Sequence, residues 1–441
     1  MILHHSCLKV LLLIAIVSTP YSFYAQNNPR RIILKRGIPL SKQLKQENTT
    51  YVIKHKFELS ENVYLPSGCT LDFKGGSISG NNHHVRLLGN NTVRNGKFIN
   101  TGITLDGENA FIENNIFNIT SQSNIGYGVI GSDAFGGTVI IRNNTISNPT
   151  QFGTITLCLP SWRHHAKVLI EKNKIMFSQI GITINARPRQ LGYDSVKIYN
   201  NSIYLYKPSR FVSASKEMWG MAVSLERDID YAEVSDNYIE GCIGLELAGT
   251  NNAEVKNNVI NVFGTDTFMK RAIGIYQSDE SFYTGGTINI LNNRIEVEGQ
   301  RWSTGGDASP IYISFAQNHN FNICDNILKG GQLKLVQARN YIKNNKSLIT
   351  LSHNEIELMK AVPPLVFGLE DRGDSILYNI VANNNTINTL SDSKIIRCYN
   401  TNYSGNNNCF ISRSTKVDSS GLLLLSPSSI GSERNVVITT F

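Results

Sequence analysis

Val168-Leu-Ile-Glu-Lys-Asn-Lys-Ile175, followed 28 residues later by Val196-Lys-Ile-Tyr-Asn-Asn-Ser-Ile203, decides the reading of this chain. Each stretch has apolar residues at alternate positions, then an Asn, one variable residue and an Ile. Alternation at period two marks a strand with one buried face. The Asn-x-Ile mark recurs at Asn144-Thr-Ile146, Asn237-Tyr-Ile239, Asn258-Val-Ile260, Asn293-Arg-Ile295, Asn354-Glu-Ile356 and Asn385-Thr-Ile387. Looser copies begin at Gly76, Gly96, Asn115, Asn326 and Asn408. The marks lie 19 to 36 residues apart, which suits one solenoid coil with loops of variable length. The expected fold is all-β, a single-stranded parallel β-helix of right-handed sense.

The physics of the repeat supports this reading. Asn tolerates the left-handed backbone conformation that a sharp turn requires, so the mark Asn is expected to take it. Its amide can bond to the Asn of the next coil, giving a ladder. The Ile two residues on returns to the interior, where successive coils build one apolar column that no coil could bury alone.

At 441 residues an ordinary length prior suggests more than one domain, but a repeat array grows in one dimension, and no linker composition marks a boundary. The expected division is residues 1–25 as an export signal, 26–50 as an N-terminal cap, 51–410 as the β-helix and 411–441 as a C-terminal strand or cap segment. Lys9 precedes the apolar run at 10–17, too short to span a bilayer, and Tyr24-Ala25-Gln26 offers a cleavage site after Ala25. The mature chain is expected in the periplasm or outside the cell, without an integral membrane segment. Six cysteines then remain, with no CxxC pair and no zinc spacing. Most are expected as buried thiols, and Cys398 with Cys409 is the first pair to test as a disulfide. The net charge of +8 fits an acidic partner, for an exported protein an acidic polysaccharide and not nucleic acid, and equally fits a solvated surface with no partner.

The first coil, Leu65-Pro-Ser-Gly-Cys-Thr-Leu-Asp-Phe-Lys-Gly-Gly-Ser-Ile78, resembles the opening of many secreted bacterial β-helix proteins. With the recurring mark, the chain resembles the pectin-lyase-like right-handed β-helix superfamily over about residues 50 to 410. That resemblance implies lyases, hydrolases or epimerases of carbohydrates, tailspikes or adhesins. The sequence lacks the Asn-Thr-Asp, Asp-Asp, Gly-His-Gly and Arg-Ile-Lys elements of polygalacturonase-like hydrolases and the Trp-Ile-Asp-His and Arg-x-Pro-x-x-Arg strings of pectate lyases. No catalytic residue is carried over from either.

Candidate site residues come instead from the second strand after each mark. Aligning the inward pairs Ile182/Ile184, Met221/Val223, Leu245/Leu247, Ile273/Ile275, Ile311/Ile313 and Leu333/Leu335 gives three outward columns. These read Thr183, Ala222, Glu246, Gly274, Tyr312, Lys334; then Asn185, Ser224, Ala248, Tyr276, Ser314, Val336; then Arg187, Glu226, Thr250, Ser278, Ala316, Ala338. Arg187, Glu226, Glu246, Tyr276, Tyr312 and Lys334 are the candidate catalytic residues. Arg189, Arg227, Trp162, Trp219 and Trp302 are the candidate substrate contacts, the tryptophans as sugar-stacking surfaces on loops. Elimination from a uronate needs a cation on the carboxylate and a base, for which Arg187 and one of Tyr276, Tyr312 or Lys334 qualify. Arg187 and Glu226, adjacent in one column, could equally pair with each other. Hydrolysis needs two carboxyls about 5 to 10 Å apart. In this register Glu226 and Glu246 stand roughly 14 Å apart, with Asp228 and Asp230 able to approach Glu246.

No cofactor is required, although Glu226, Asp228, Asp230 and Asp236 could hold calcium. His164-His165 reads as a surface loop. The expected activity is that of a polysaccharide lyase or glycoside hydrolase on a uronate-containing polysaccharide or oligosaccharide; the alternative is a non-catalytic glycan-binding or adhesive β-helix. Protein recovered from its own host should begin at Gln26 by N-terminal sequencing, and a chain beginning at Met1 would overturn the export reading.

Overall fold

A computed structural model describes residues 30–440, apart from eight single positions and the segments 187–191, 206–219, 264–269, 277–284, 299–307, 315–318, 336–346, 359–364, 368–377, 390–394, 413–421 and 426–429. Residues 1–25, expected as an export signal, lie outside the described residues. The chain is a parallel β-helix. Among the described residues every strand pairing is parallel, in one sheet of 28 strands and another of 15.

Each coil contributes three strands. The strand before the mark, such as Ala166–Glu171, stacks on Tyr193–Tyr199 of the next coil. The strand that carries the mark Ile, such as Lys174–Ser178, stacks on Ser202–Leu205 in the 15-stranded sheet. The strand after the mark, such as Ile180–Ala186, stacks on the first part of Met221–Ser235. We call these the pre-mark, mark and post-mark faces. Met221–Ser235 and Ile243–Lys256 are long enough to serve the post-mark face and then the pre-mark face of the following coil, which joins those two series into the 28-stranded sheet.

A single core runs the length of the stack. The mark residues Ile146, Ile175, Ile203, Ile239, Ile260, Ile295, Leu328, Ile356, Ile387 and Phe410 are all essentially inaccessible. Phe98 and Phe117 stack at 4.7 Å between ring centroids on adjacent coils, as identical inward positions must. At the N-terminal end a strand, Arg30–Ile33, and a one-turn helix, Leu40–Gln43, precede the first full coil, with Leu40 and Leu44 buried. At the other end strands continue in register through Val437–Thr440.

The ladder forms, with a division of labour that differs from the expectation. The left-handed residue is not the mark Asn but the one before it: Asn143, Lys172, Asn200, Asp236, Asn257, Asn292, Asp325, His353, Asn384 and Asn407 all have φ between 54° and 60°. The mark Asn is thereby turned inward. From Asn115 to Asn408, each mark amide donates from Nδ2 to the Oδ1 of the next at 2.9–3.0 Å. The same Oδ1 accepts the backbone N–H of the previous mark, and the second Nδ2 hydrogen reaches a carbonyl of the coil before, as from Asn144 to Ile112 at 3.0 Å. Every donor and acceptor of these buried amides is used, as burial requires. In the last coil Val436 stands in the mark position, and the Nδ2 of Asn408 reaches the Glu433 carboxylate at 3.3 Å.

None of the six cysteines from Cys69 to Cys409 forms a disulfide, Cys398 and Cys409 included. These two belong to different sheets, Cys398 on the post-mark face and Cys409 on the mark face, so the tested pairing is not made. Burial, with help from Glu433, raises the Cys398 thiol to about 12.

Asn237→Ala removes the acceptor used by both the backbone N–H and the Nδ2 of Asn201, and should cost on the order of 2 to 4 kcal/mol in denaturant unfolding. Asp236→Gly, one residue away at an exposed left-handed position, should change stability by less than about 1 kcal/mol.

Candidate active site

The post-mark face differs from the pre-mark face in how its charges are used. On the pre-mark face, Asp72, Arg94, Glu113, Arg142 and Glu171 form one column of alternating sign. Within it Arg94 lies 3.3 Å from Asp72, and Arg142 lies 2.9 Å from Glu113 and 3.8 Å from Glu171. Farther along, Glu233 is held between Lys197 and Lys256 at 3.4 and 3.2 Å. Such columns neutralise themselves and leave little for a ligand.

On the post-mark face the register corrects the expected alignment at one coil. Ile182 pairs with Val223 and Ile184 with Leu225, two residues beyond the expected partners. Leu245 then pairs with Val223, so that Ser224 stands opposite Glu246 and Glu226 opposite Ala248. Ala222, expected to face outward, is fully buried at the start of the strand Met221–Ser235. From Glu246 onward the expected columns hold: Glu246 pairs with Gly274, Ala248 with Tyr276, Gly274 with Tyr312 and Tyr312 with Lys334. The corrected columns read Thr156, Thr183, Ser224, Glu246, Gly274, Tyr312, Lys334 and Cys158, Asn185, Glu226, Ala248, Tyr276.

This shift brings Glu226 and Glu246 together. They are now one coil and two residues apart, about 8 Å between α-carbons by strand geometry, in place of the expected 14 Å. Their surroundings differ. Glu226 accepts hydrogen bonds on both oxygens, from Asn185 Nδ2 at 2.9 Å and from Ser224 Oγ at 2.8 Å. Glu246 makes no hydrogen bond to any described residue, and burial raises its pKa. The Arg271 guanidinium works against that rise and the Glu226 charge adds to it.

Arg271 escaped the sequence reading. The corner breaks the strict alternation, since Ala272 and Ile273 are both buried, and Arg271 lies just before that break. Its guanidinium carbon sits 3.7 Å from the Tyr312 ring centroid and 5.3 Å from that of Tyr276, and the two rings are 5.9 Å apart. Arg271 and Tyr312 are almost fully buried, at 5% and 6% exposure. Lys334 is fully buried, so the expected groove-lining amine is closed to solvent.

Other candidates fall as follows. Glu226 stands opposite Asn185, so the expected column of Arg187 with Glu226 is not formed. Arg187, Arg189, Trp219 and Trp302 lie outside the described residues, as do His164, Ser278, Ala316, Val336 and Ala338. Trp162 is described and 63% exposed, in a turn just past the strand Gly153–Leu159 that carries Thr156 and Cys158. His165 nearby pairs with Asp194 at 2.7 Å. Arg227 and Asp228, both left-handed, form a bulge between Glu226 and Ile229. Asp228 is buried, Asp230 accepts from Asn251 and Asp236 from Asn257. Among the described residues no three His, Cys, Asp or Glu side chains gather as a metal site. Among the described residues no helix is long and apolar enough to cross a membrane.

No protein-family profile matches the chain, and no curated protein matches it in sequence.

Because the folded state raises the Glu246 pKa, it favours the protonated form. Stability drawn from this residue is present below the ordinary carboxylate range and is lost as pH rises through the folded pKa. Glu246→Gln should therefore raise the thermal midpoint at neutral pH and leave it unchanged in acid below that range. An equal shift at both pH values would show that the carboxyl is not the cause.

Proposed function

We propose that the protein is an exported, carbohydrate-active β-helix of the pectin-lyase-like kind that hydrolyses a glycan at the Glu226/Glu246 pair. The observation that carries this reading is the pair itself: two carboxyls one coil apart, one hydrogen-bonded on both oxygens and the other pushed toward its neutral form. Two carboxyls with opposed environments are what acid and base roles demand.

In this reading the protonated Glu246 gives its proton to the glycosidic oxygen as the C–O bond breaks. Glu226 either takes a proton from the water that attacks the anomeric carbon or attacks that carbon itself, with water completing the second step. Asn185 and Ser224 hold Glu226 in place; they are positioning residues. Arg271 keeps the site's net charge from becoming doubly negative when both carboxyls ionise. Its cation, with the overall charge of +8, favours an acidic glycan.

Hydrolysis takes precedence over elimination because the amine best suited to act as base, Lys334, is fully buried. The first-coil motif 65–78 and the parallel fold support the superfamily, and the apolar run at 10–17 supports export.

Purified mature protein should release new reducing ends from at least one member of a panel comprising polygalacturonate, alginate, hyaluronan and a neutral galactan. Glu226→Gln and Glu246→Gln should each lower that rate by about 100-fold or more. Asn185→Ala should lower it by about tenfold. Products absorbing in the ultraviolet as unsaturated sugars would replace hydrolysis by elimination, and binding without products would replace catalysis by recognition.

A further inference from the structure

The post-mark face changes character at Glu246. On the coils before it the outward residues Thr156, Cys158, Thr183, Asn185 and Ser224 are short, and all of them except Ser224 are partly exposed. On the coils after it the Glu246 column continues through Gly274, Tyr312 and Lys334, all buried, and the Glu226 column reaches the larger, partly exposed Tyr276. Tyr276 is folded back over Gly274, where a Cβ would meet its ring at 2.9 Å and its hydroxyl at 3.2 Å, so only glycine admits the ring in that place. Arg271 is packed on the Tyr312 ring and close to that of Tyr276. Tyr276, Tyr312 and Arg271 thus form a wall across the face that begins one coil, about 5 Å, beyond Glu246.

The columns run along the solenoid axis, and a glycan following them advances by about one sugar per coil. It has open face on the Thr156 and Thr183 side, toward the exposed Trp162, and meets the wall immediately past Glu246. A linear chain cannot continue through that wall. The bond lying between Glu226 and Glu246 is then one of the last before a chain end. The Tyr276 hydroxyl is buried and has no hydrogen-bond partner among the described residues, and a hydroxyl of the terminal sugar satisfies it.

We infer that the site accepts the end of a linear glycan and removes one or two sugars at a time, and does not cut internal bonds. This inference rests on the hydrolase reading above. The chemistry is the same hydrolysis: water adds across the terminal or penultimate C–O bond, its oxygen to the anomeric carbon and a proton to the departing oxygen.

The test follows solution viscosity and product size together for the intact mature protein on polygalacturonate, alginate and hyaluronan. Expected on the glycan that is cleaved are mono- or disaccharides from the first time point with viscosity nearly unchanged. A rapid fall in viscosity with a ladder of intermediate lengths would overturn the chain-end inference and leave the carboxylate pair standing. No cleavage of any of the three would overturn the hydrolase reading on acidic glycans and this inference with it. Tyr312→Ala, which opens the wall, should raise the share of internal cuts about tenfold. Should that variant fail to fold, Tyr276→Phe keeps the wall and removes only the hydroxyl. It should raise KM for a trisaccharide about tenfold, the loss of one hydrogen bond, with kcat little changed. An unchanged KM would remove Tyr276 from the binding of the chain end.

Discussion

The asparagine amides at one corner of the coil are the constraint on which the rest of the molecule depends. Each is buried, and each must find partners for two donors and an acceptor away from water. The next coil supplies them only if it stacks directly in register, with its own Asn at the same corner. Once that corner is set, the mark Ile falls inward and the apolar column follows. The backbone turn needed to aim the amide inward is made by the preceding residue, which is why Asn143-Asn144, Asn200-Asn201, Asn257-Asn258, Asn292-Asn293 and Asn384-Asn385 occur as doublets. Lys172 and His353 show that the left-handed position tolerates other residues; the ladder position, wherever Asn holds it, has no substitute with the same set of donors and acceptors.

A solenoid held at one corner leaves its other faces free to specialise. The pre-mark face spends its charges on one another, in columns where Asp72, Glu113, Glu171 and Glu233 each have a base on an adjacent coil. The post-mark face keeps two carboxyls on adjacent coils without a lysine or arginine directly between them. That arrangement is unfavourable for stability, since burial and mutual repulsion both work against the second charge. A fold with so long a core can carry such a cost at one site, and sites that carry it are candidates for chemistry.

Much of that face was legible in advance. The alignment of Glu246 with Gly274, Tyr312 and Lys334 followed from alternating inward pairs, and the structure reproduces it. The coil that begins at Asn201 did not follow. Met221, Val223 and Leu225 are apolar at three alternate positions, so a slip of one residue would have exposed them but a slip of two leaves the buried face intact. Hydrophobic pattern cannot detect such a slip. Counting from the mark could not correct it either, because residues 206–219 intervene, and counting back from Asn237 meets the Arg227-Asp228 bulge. Arg271 was missed for a related reason: the corner between the mark and post-mark strands buries two consecutive residues and resets the outward phase.

By itself the sequence determined that the chain is a parallel β-helix, where its coils begin and which residues turn inward. Those properties depend on short-range patterns, namely alternation within a strand and a repeated Asn-x-Ile. Only the tertiary structure decided which outward side chains become neighbours, because that depends on stacking across insertions of unequal length. It placed Glu226 beside Asn185 and within one coil of Glu246, folded Tyr276 over Gly274, and packed Arg271 onto Tyr312. Neighbours across coils are separated by 20 to 40 residues of chain, and no local pattern encodes the two-residue shift in stacking that turns distant carboxyls into a pair.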